Sequence, residues 1–401
     1  MATGCADGIM VTVSPAPAIG SGPGTVCVGN SLTLTHATPG GVWTVSPAGI
    51  ATILSPGFIG GSSAGTATVS YTISGCSATA VVTVNALPGA IGGTLSVCAG
   101  QTTTLTNPAT GGTWASSNSF QASVTPSTGL VTGLIASMPD ITYTLPGGCY
   151  AVKTMVVDPL PGAISGSSNV CVGATTGLSS TTPGGAWSSA NPTVATVTPA
   201  TGVVSGVAAG SANIMYTDGT TGCKTSMLTT VNPLPSVYTV GGGGGYCSGT
   251  PGVSVGLSAS NTGIDYQLYN GVIPVGGTMH GSGHAIDFGL QTTSGTYMVV
   301  ATNVVTGCIK NMTGTKNVMV NASPNAYSVS GGGNYCAGGA GVHVGMSFTN
   351  SGINYELYRG SSTVGSPVAG TTSAIDFGVY TTSGTYTVQA TNTTTGCVNG
   401  M

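Results

Sequence analysis

Short runs of alternating polar and apolar residues cover almost the whole chain. The runs are rich in Val, Thr, Ile and Tyr, as at residues 67–71 (Ala-Thr-Val-Ser-Tyr) and 386–390 (Tyr-Thr-Val-Gln-Ala). Gly, Pro, Asn or Ser interrupts them about every eight to twelve residues, the spacing of an all-β sandwich or barrel. No stretch keeps the 3.6-residue period of an amphipathic helix. The pattern predicts an all-β protein whose antiparallel strands are joined by tight turns.

The sequence also repeats itself. One unit occurs three times, and each copy has a first cysteine in a Val-Cys-x-Gly phrase, a tryptophan sixteen residues later, then a tyrosine and a second cysteine. A second unit occurs twice, and both copies contain Ala-Ile-Asp-Phe-Gly, at residues 285–289 and 374–378. Self-similarity at a fixed period predicts a tandem array in which one structural unit recurs.

The repeats divide the chain into six segments. We predict the terminal strand of an incomplete repeat at 1–16, repeats of the first type at 17–86, 87–159 and 160–234, a repeat of the second type at 235–322, and a second-type repeat without its last strand at 323–401. The joints are short and contain proline, which favours a semi-rigid rod over a flexible string of domains.

Both ends of the sequence fall within a repeat. Cys5 follows Thr-Gly, as second cysteines do, and the alternating residues Ile9, Val11 and Val13 have the position of a last strand. Two explanations stay open. The sequence is a window on a longer chain in which Cys5 pairs upstream, or Ile9, Val11 and Val13 form a donor strand that completes the last repeat of a neighbouring copy.

The composition narrows the possible functions. Charged residues make up 3% of the chain, against roughly 25% in a typical soluble domain. Five Lys and Arg cannot neutralise a run of phosphates, so we expect no nucleic-acid partner and no polybasic membrane anchor. No window of 18 unbroken apolar residues occurs, so we expect no membrane span. Eight carboxylates and four histidines, with no Ser/His/Asp or Cys/His arrangement, predict no enzyme, no catalytic residue and no cofactor.

Ten of the eleven cysteines occupy matching places, two in each repeat. A zinc site would need closely spaced pairs such as C-x₂-C, and the sequence has none. We therefore predict no metal, an extracellular or cell-surface location, and one disulfide within each repeat, with Cys5 spare or available to another chain. The predicted pairs are Cys27 with Cys76, Cys98 with Cys149, Cys171 with Cys223, Cys247 with Cys308, and Cys336 with Cys397.

Three tryptophans, Trp43, Trp114 and Trp187, recur at a fixed distance from a first cysteine. They have the chemistry of sugar-stacking platforms, but a buried tryptophan packed near a disulfide is typical of Ig-type sandwiches. We predict that all three are core residues.

Two smaller clusters have the residue types of metal ligands. His280 and His284 are four residues apart, but no helix places them on one face, and the sister repeat lacks them. Asp287 and Asp376 each stand alone between Ile and Phe, whereas a calcium site needs several oxygen ligands together. We interpret the two aspartates as turn-capping residues.

The first repeat type resembles the group 2 bacterial Ig-like domains. The resemblance lies in residues 192–197, 201–210 and 214–216. With its Val-Cys-Val-Gly opening and Val-Asn-Pro-Leu-Pro ending, this type is similar to tandem repeats of large secreted surface proteins of Bacteroidetes-type bacteria. The second type, at residues 384–392, is similar to another repeat of those proteins. The resemblance implies tandem Ig-like β-sandwiches in a stalk, adhesin or matrix component, and it carries over no catalytic residue.

These observations predict a structural protein of an extracellular fibre, filament or surface stalk, joined head-to-tail by strand complementation. Its partners would be copies of itself or the rest of a longer chain. The alternative is a cell-surface adhesin that binds a glycan or a neighbouring cell. Its candidate contact residues are Tyr266, Tyr269, Tyr355 and Tyr358 of the second repeat type.

Overall fold

The computed structural model describes residues 9–20, 22 and 24–401. The secondary-structure elements of these residues are β-strands, which confirms the all-β prediction. The strands surround five hydrophobic clusters that follow one another along the chain. Each cluster draws its residues from one of the predicted repeats, and we number the repeats one to five from the amino-terminal side.

Repeats one to three contain the strands β1 to β26. In repeat one these are β1 (Ile19–Gly20), β2 (Thr25–Cys27), β3 (Ser31–Thr33), β4 (Thr35–His36), β5 (Val42–Ser46), β6 (Ala51–Ser55), β7 (Phe58–Gly61), β8 (Gly65–Ile73) and β9 (Cys76–Asn85). In repeat two they are β10 (Gly92–Gly93), β11 (Ser96–Cys98), β12 (Thr102–Thr106), β13 (Thr113–Ser116), β14 (Ala122–Val124), β15 (Leu130–Gly133), β16 (Asp140–Thr144), β17 (Tyr150–Thr154) and β18 (Val156–Asp158). In repeat three they are β19 (Ser165–Gly166), β20 (Asn169–Cys171), β21 (Thr175–Ser179), β22 (Ala186–Ser189), β23 (Ala195–Val197), β24 (Val203–Gly206), β25 (Gly210–Thr217) and β26 (Lys224–Asn232).

Repeats four and five contain the strands β27 to β42. In repeat four these are β27 (Val240–Gly242), β28 (Gly244–Cys247), β29 (Val253–Leu257), β30 (Ile264–Asn270), β31 (Ile273–His280), β32 (Ile286–Gln291), β33 (Gly295–Asn303), β34 (Ile309–Asn311) and β35 (Lys316–Asn321). In repeat five they are β36 (Val329–Gly331), β37 (Val342–Met346), β38 (Ile353–Arg359), β39 (Ser362–Ala369), β40 (Ile375–Tyr380), β41 (Tyr386–Asn392) and β42 (Val398–Gly400).

The repeats are built from two sheets that enclose the core. Repeat three shows the arrangement most simply, with one sheet in the order β19-β21-β24-β23 and the other in the order β20-β26-β25-β22. Along β25 the buried side chains alternate with exposed or half-buried ones, as a strand with one face on the core requires. Repeat four has the sheets β27-β29-β32 and β28-β35-β33-β30-β31, with β34 paired to β33.

One strand pair in each of the first four repeats is parallel, which the prediction of antiparallel strands did not include. The short strand that carries the first cysteine pairs in parallel with the last strand of its own repeat: β2 with β9, β11 with β18, β20 with β26, and β28 with β35. In repeat one the register places Cys27 opposite Asn85, at the very end of β9. The first cysteine therefore lies at the end of the repeat that faces the next one.

The core of each first-type repeat contains a tryptophan, and Trp43, Trp114 and Trp187 are all buried. In repeat two, Trp114 lies 4.6 Å from the ring of Tyr143, centroid to centroid. The hydroxyl of Tyr143 donates a hydrogen bond to the carbonyl oxygen of Ala109 and accepts one from the N–H of Gly112. A Cβ atom at Gly112 would lie 2.6 Å from this ring, which explains why a glycine comes shortly before the tryptophan.

Replacement of Trp114 by Ala should destabilise repeat two by about 3–5 kcal/mol, because it empties a large aromatic site in a packed core. The matched control is Phe120→Ala in the same repeat, whose side chain is 82% exposed and should cost less than about 0.5 kcal/mol. Chemical denaturation of the two variants measures both. Equal losses for the two would show that Trp114 does not contribute to the core.

Candidate functional site: the junctions between repeats

Four disulfides connect each repeat to the next. They join Cys27 to Cys149, Cys98 to Cys223, Cys171 to Cys308, and Cys247 to Cys397. The Cα–Cα distances are 5.5–5.7 Å, inside the normal range for a disulfide. In every case the first cysteine of one repeat is bonded to the second cysteine of the following repeat. The prediction of a disulfide within each repeat is therefore wrong.

The length of the last strand explains this pairing. In repeat one, Cys76 begins β9, while Cys27 lies opposite Asn85, nine residues further along the same strand. At a rise of about 3.3 Å per residue the two cysteines are separated by about 30 Å, and a disulfide needs Cα atoms within about 7 Å. The two cysteines of one repeat lie at opposite ends of the sandwich, so each faces a neighbouring repeat.

The junction between repeats one and two shows how the second cysteine is held. The Sγ atom of Cys149 lies 3.8 Å from the carbonyl oxygen of Asn85, the last residue of β9. The Asn85 side chain donates a hydrogen bond from Nδ2 to the carbonyl oxygen of Gly147, at 3.2 Å. Cys149 is fully buried, as are Cys223, Cys308 and Cys397. Burial keeps small-molecule reductants away from these bridges.

A local hydrogen-bond motif shapes the turn before the second cysteine. In repeat three, Asp218 accepts hydrogen bonds from the N–H groups of Thr220 and Thr221, and these bonds, chiefly that from Thr221, lower the pKa of the Asp218 carboxyl. Asn303 and Asn392 accept the equivalent pair of bonds in repeats four and five. An Asp or Asn that caps its own turn is a sequence-local device, so the second cysteines of repeats three, four and five are positioned by their own neighbours.

The junction between repeats four and five has the same contact between the second cysteine and the end of the preceding repeat's last strand. The Sγ atom of Cys397 lies 4.0 Å from the carbonyl oxygen of Asn321, which ends β35. Asn399 donates a hydrogen bond from Nδ2 to the carbonyl oxygen of Pro324, at 2.8 Å, and Ser323 donates one to the carbonyl oxygen of Ser248. The bond from Ser323 to Ser248 joins repeat five directly to repeat four, in addition to the disulfide.

The four disulfide loops overlap along the chain. The shortest covalent path from Cys27 to Cys397 uses three bridges, the 51 residues that separate Cys98 from Cys149, and the 24 that separate Cys223 from Cys247. That path contains 75 residues of backbone, whereas the uncrosslinked chain between the same two cysteines spans 370. Repeats two, three and four are each held by two bridges to their neighbours.

Two cysteines are unpaired within the described residues. Cys76 is half-buried and Cys336 is exposed, and neither forms the disulfide that was predicted for it. Cys5 lies outside the described residues. The candidate donor residues Ile9, Val11 and Val13 are 91%, 81% and 87% exposed and belong to no strand of this chain.

The other candidate residues take structural positions. His280 pairs with Asp265 rather than with His284, and within the described residues no group of three His, Cys, Asp or Glu side chains is placed to hold a metal ion. Asp287 and Asp376 accept hydrogen bonds from the N–H groups of Gly289 and Gly378. Both aspartates lie inside strands, β32 and β40, beside a register shift, so each caps a β-bulge rather than the turn that was predicted.

The tyrosines chosen as adhesin contacts do not form an exposed surface. Tyr266 and Tyr355 are fully buried, and the hydroxyl of each accepts a hydrogen bond from a backbone N–H five residues earlier. Burial raises the pKa of the Tyr266 phenol. Tyr269 and Tyr358 are half-buried. Two of the four candidate contacts are therefore core residues, as the alternation along β30 and β38 requires.

Comparison with known proteins agrees with this architecture. Residues 151–228, which span the end of repeat two and most of repeat three, match the bacterial Ig-like domain family, group 2. No curated protein sequence matches the chain. The chain is a tandem array of Ig-like β-sandwich repeats.

The similarity of the chain to solved structures is low. The four amino-terminal Ig domains of Dscam1 isoform 6.9 are 10% identical, with 76% of this chain and 99% of that chain covered and a TM-score of 0.20. The eight amino-terminal Ig domains of DSCAM isoform 1.30.30 are 12% identical, with 94% and 66% covered and a TM-score of 0.28. The S-layer protein rSbsC(31-844) is 14% identical, with 95% and 64% covered and a TM-score of 0.19.

The described part of the chain contains no helix that is both long and apolar enough to span a bilayer.

Two double variants distinguish the two pairing schemes by their free thiols. Cys98→Ala with Cys223→Ala should remove one whole bridge and release no additional thiol. Cys98→Ala with Cys149→Ala should break two bridges and release two thiols, those of Cys223 and Cys27. Thiol titration of the denatured, unreduced proteins counts them.

The first variant should also lose about 2–5 kcal/mol of stability, because its loop constraint is gone. The opposite result, two new thiols in the first variant and none in the second, would restore the within-repeat scheme.

Proposed function

We propose that this chain is a structural protein of an extracellular fibre, filament or surface stalk. The observation that carries the proposal is the overlapping set of four disulfides between successive repeats. A disulfide inside each domain would stabilise the domains and leave the joints unsupported. Bridges across the joints instead shorten the covalent path along the array, so that little chain can be released when the protein is under tension.

The composition supports this proposal. Only 3% of residues are charged and the net charge is −3, so little electrostatic repulsion keeps neighbouring copies apart. The five Lys and Arg residues leave few sites for trypsin-like proteases. Disulfides of this number form and persist in oxidising compartments. An extracellular, self-associating array with no catalysis of its own accounts for these properties together.

The candidate contact surface of the adhesin alternative is partly buried in the structure. It depended on exposed tyrosines in the second repeat type, and two of the four candidates, Tyr266 and Tyr355, lie in the cores of their repeats. The resemblance to repeats of secreted bacterial surface proteins is compatible with a stalk that presents other domains. We therefore place the function in the array itself.

Electron microscopy of the secreted protein, labelled with an antibody raised against this chain, tests the proposal. We expect labelled filaments of uniform width, because successive repeats are fixed to one another. A glycan array with the purified chain serves as the competing assay. Isolated rods without filaments, together with dose-dependent glycan binding, would favour the adhesin.

Single-molecule pulling tests the load-bearing role directly. With the bridges intact, the segment from Cys27 to Cys397 should extend to roughly 260 Å, against roughly 1,300 Å after reduction, because about 3.5 Å per residue is the limit of an extended chain. The same molecule before and after reduction provides the control. Stepwise unfolding that exceeds about 1,000 Å in the oxidised protein would contradict overlapping bridges.

A further inference from the structure

We propose that two copies of this chain associate through an exposed apolar surface on repeat two. This surface, the repeat-two patch, consists of Phe120, Leu134, Ile135 and Met138. The same patch of each copy faces the other across a two-fold axis. The inference rests on the proposed function and deepens it, because it names the partner and the surface through which neighbouring arrays would associate.

The patch is built from two loops of repeat two that are bonded to each other. Phe120 lies in the connection between β13 and β14, and the other three residues lie in the connection between β15 and β16. The N–H groups of Leu134 and Ile135 both donate hydrogen bonds to the carbonyl oxygen of Gln121, at 2.8 and 3.2 Å. Because Gln121 follows Phe120 directly, these bonds hold the two loops side by side. The four residues therefore belong to one region of the surface.

All four residues are in contact with water although repeats one and three are present. Phe120 is 82% exposed, Leu134 45%, Ile135 60% and Met138 68%. Together they expose about 500 Å², which is near the upper end for the largest apolar patch of a monomeric protein. A single exposed apolar residue is common on protein surfaces, whereas a contiguous patch of this size marks an interaction site.

The backbone under the patch is the same in all three first-type repeats. The pair of hydrogen bonds that joins the two loops occurs from Val207 and Ala208 to Val194 in repeat three, and from Ser62 and Ser63 to Ile50 in repeat one. The strand pairing that follows has the same register in the three repeats, which extends the match to Met138. Each patch residue therefore has one structural equivalent in each sister repeat.

The side chains at these positions differ between the repeats. Phe120, Leu134, Ile135 and Met138 stand where repeat three has Thr193, Val207, Ala208 and Ser211, and where repeat one has Gly49, Ser62, Ser63 and Thr66. The sister repeats form the same loops with smaller or polar residues, so the fold does not require the large apolar ones. None of the four patch residues belongs to the hydrophobic core of repeat two. Their size and exposure are explained by a contact outside the chain.

The charge distribution favours a second copy as the occupant. Repeat two has three charged residues in all, and the one nearest to the patch in the sequence is Asp140. Its carboxylate accepts a hydrogen bond from the hydroxyl of Thr154, at 2.7 Å. The patch itself carries no charge, so it offers nothing to select a partner of opposite charge. Because the attraction between apolar surfaces has no direction, such a patch is complementary to itself.

The area of the patch is sufficient for a stable dimer. Two patches placed face to face would remove about 1,000 Å² of apolar surface from water. Apolar atoms contribute about 65% of a homodimer interface, so the whole contact would bury about 1,500 Å². Specific protein interfaces of standard size bury about 1,600 Å². A patch-to-patch dimer therefore needs only a polar rim of ordinary width around the four residues.

The symmetry of the contact determines what it can build. A contact between identical surfaces is closed when two copies have met, so it forms a dimer and does not by itself lengthen an array. The repeat-two patch would therefore join two arrays to each other.

Exchange of residues between repeats two and three tests the inference. In the loss variant, Phe120→Thr, Leu134→Val, Ile135→Ala and Met138→Ser give repeat two the residues of repeat three. After alkylation of free thiols, sedimentation equilibrium should show the parent approaching twice 38.7 kDa as its concentration rises, and the loss variant staying at 38.7 kDa. Chemical denaturation at concentrations where the chain is monomeric should give the two proteins equal stability.

The reciprocal exchange is the matched control for the position of the patch. Thr193→Phe, Val207→Leu, Ala208→Ile and Ser211→Met place the patch on repeat three, where all four positions are exposed. Added to the parent, these changes give each chain two patches, and we expect species larger than a dimer. Added to the loss variant, they should restore a dimer.

A single charge tests the two-fold geometry. Ile135→Asp would place two carboxylates close to each other in an apolar contact and should raise the dissociation constant of the dimer by at least about a hundredfold. Ala208→Asp introduces the same charge at the equivalent position of repeat three and should leave the constant unchanged. Equal effects of the two variants would contradict a contact centred on repeat two.

The remaining outcomes also decide the occupant of the patch. A parent chain that stays monomeric at every concentration overturns the inference, and so does a dimer that survives in the loss variant. Binding of a monomeric parent to phosphatidylcholine vesicles, absent in the loss variant, would overturn it and assign the patch to a lipid surface. Filaments from a parent that does not dimerise contradict this inference alone, whereas dimers without filaments support it and contradict the proposed function.

Discussion

The architecture depends on the parallel pairing between the first-cysteine strand and the end of the last strand in the same repeat. This pairing, seen at Cys27 opposite Asn85 and again at Cys247 opposite Asn321, places the first cysteine at the far end of the sandwich. The second cysteine begins or precedes the last strand and lies at the near end. With the two thiols about 30 Å apart, each has a partner only in an adjacent repeat. The geometry of a single repeat therefore determines that the disulfides cross the joints between repeats.

This arrangement changes what the disulfides do for the protein. In a small domain a disulfide mainly restricts the unfolded chain of that domain. Here the bridges overlap, so a repeat that loses its fold cannot release its whole length while its neighbours stay bonded. The buried second cysteine shields one sulfur of each bridge from solvent. Stability and mechanical continuity therefore come from the same four bonds.

The first-type core and the turns before several second cysteines are supported by hydrogen bonds that stay within one repeat. The glycine before each tryptophan admits the tyrosine ring, and the tyrosine hydroxyl closes the loop that precedes it, as with Gly112 and Tyr143. In repeats three to five the turn before the second cysteine is capped by its own Asp or Asn, as at Asp218. Both devices are contained within a single repeat, so neither depends on how the repeats are joined.

The sequence by itself determined the all-β class, the repetition and the burial pattern. Alternation with a period of two places residues such as Val204 and Tyr216 on the core face whatever the neighbouring strands are. It did not determine the disulfide partners, because matching positions in each repeat are equally compatible with bonds inside and between repeats. That choice needed the parallel register of β2 on β9 and the length of β9, which set which end of the sandwich each thiol occupies. The spacing of the cysteines in the sequence gives only their separation along the chain. Their separation in space, which decides the pairing, depends on the tertiary structure.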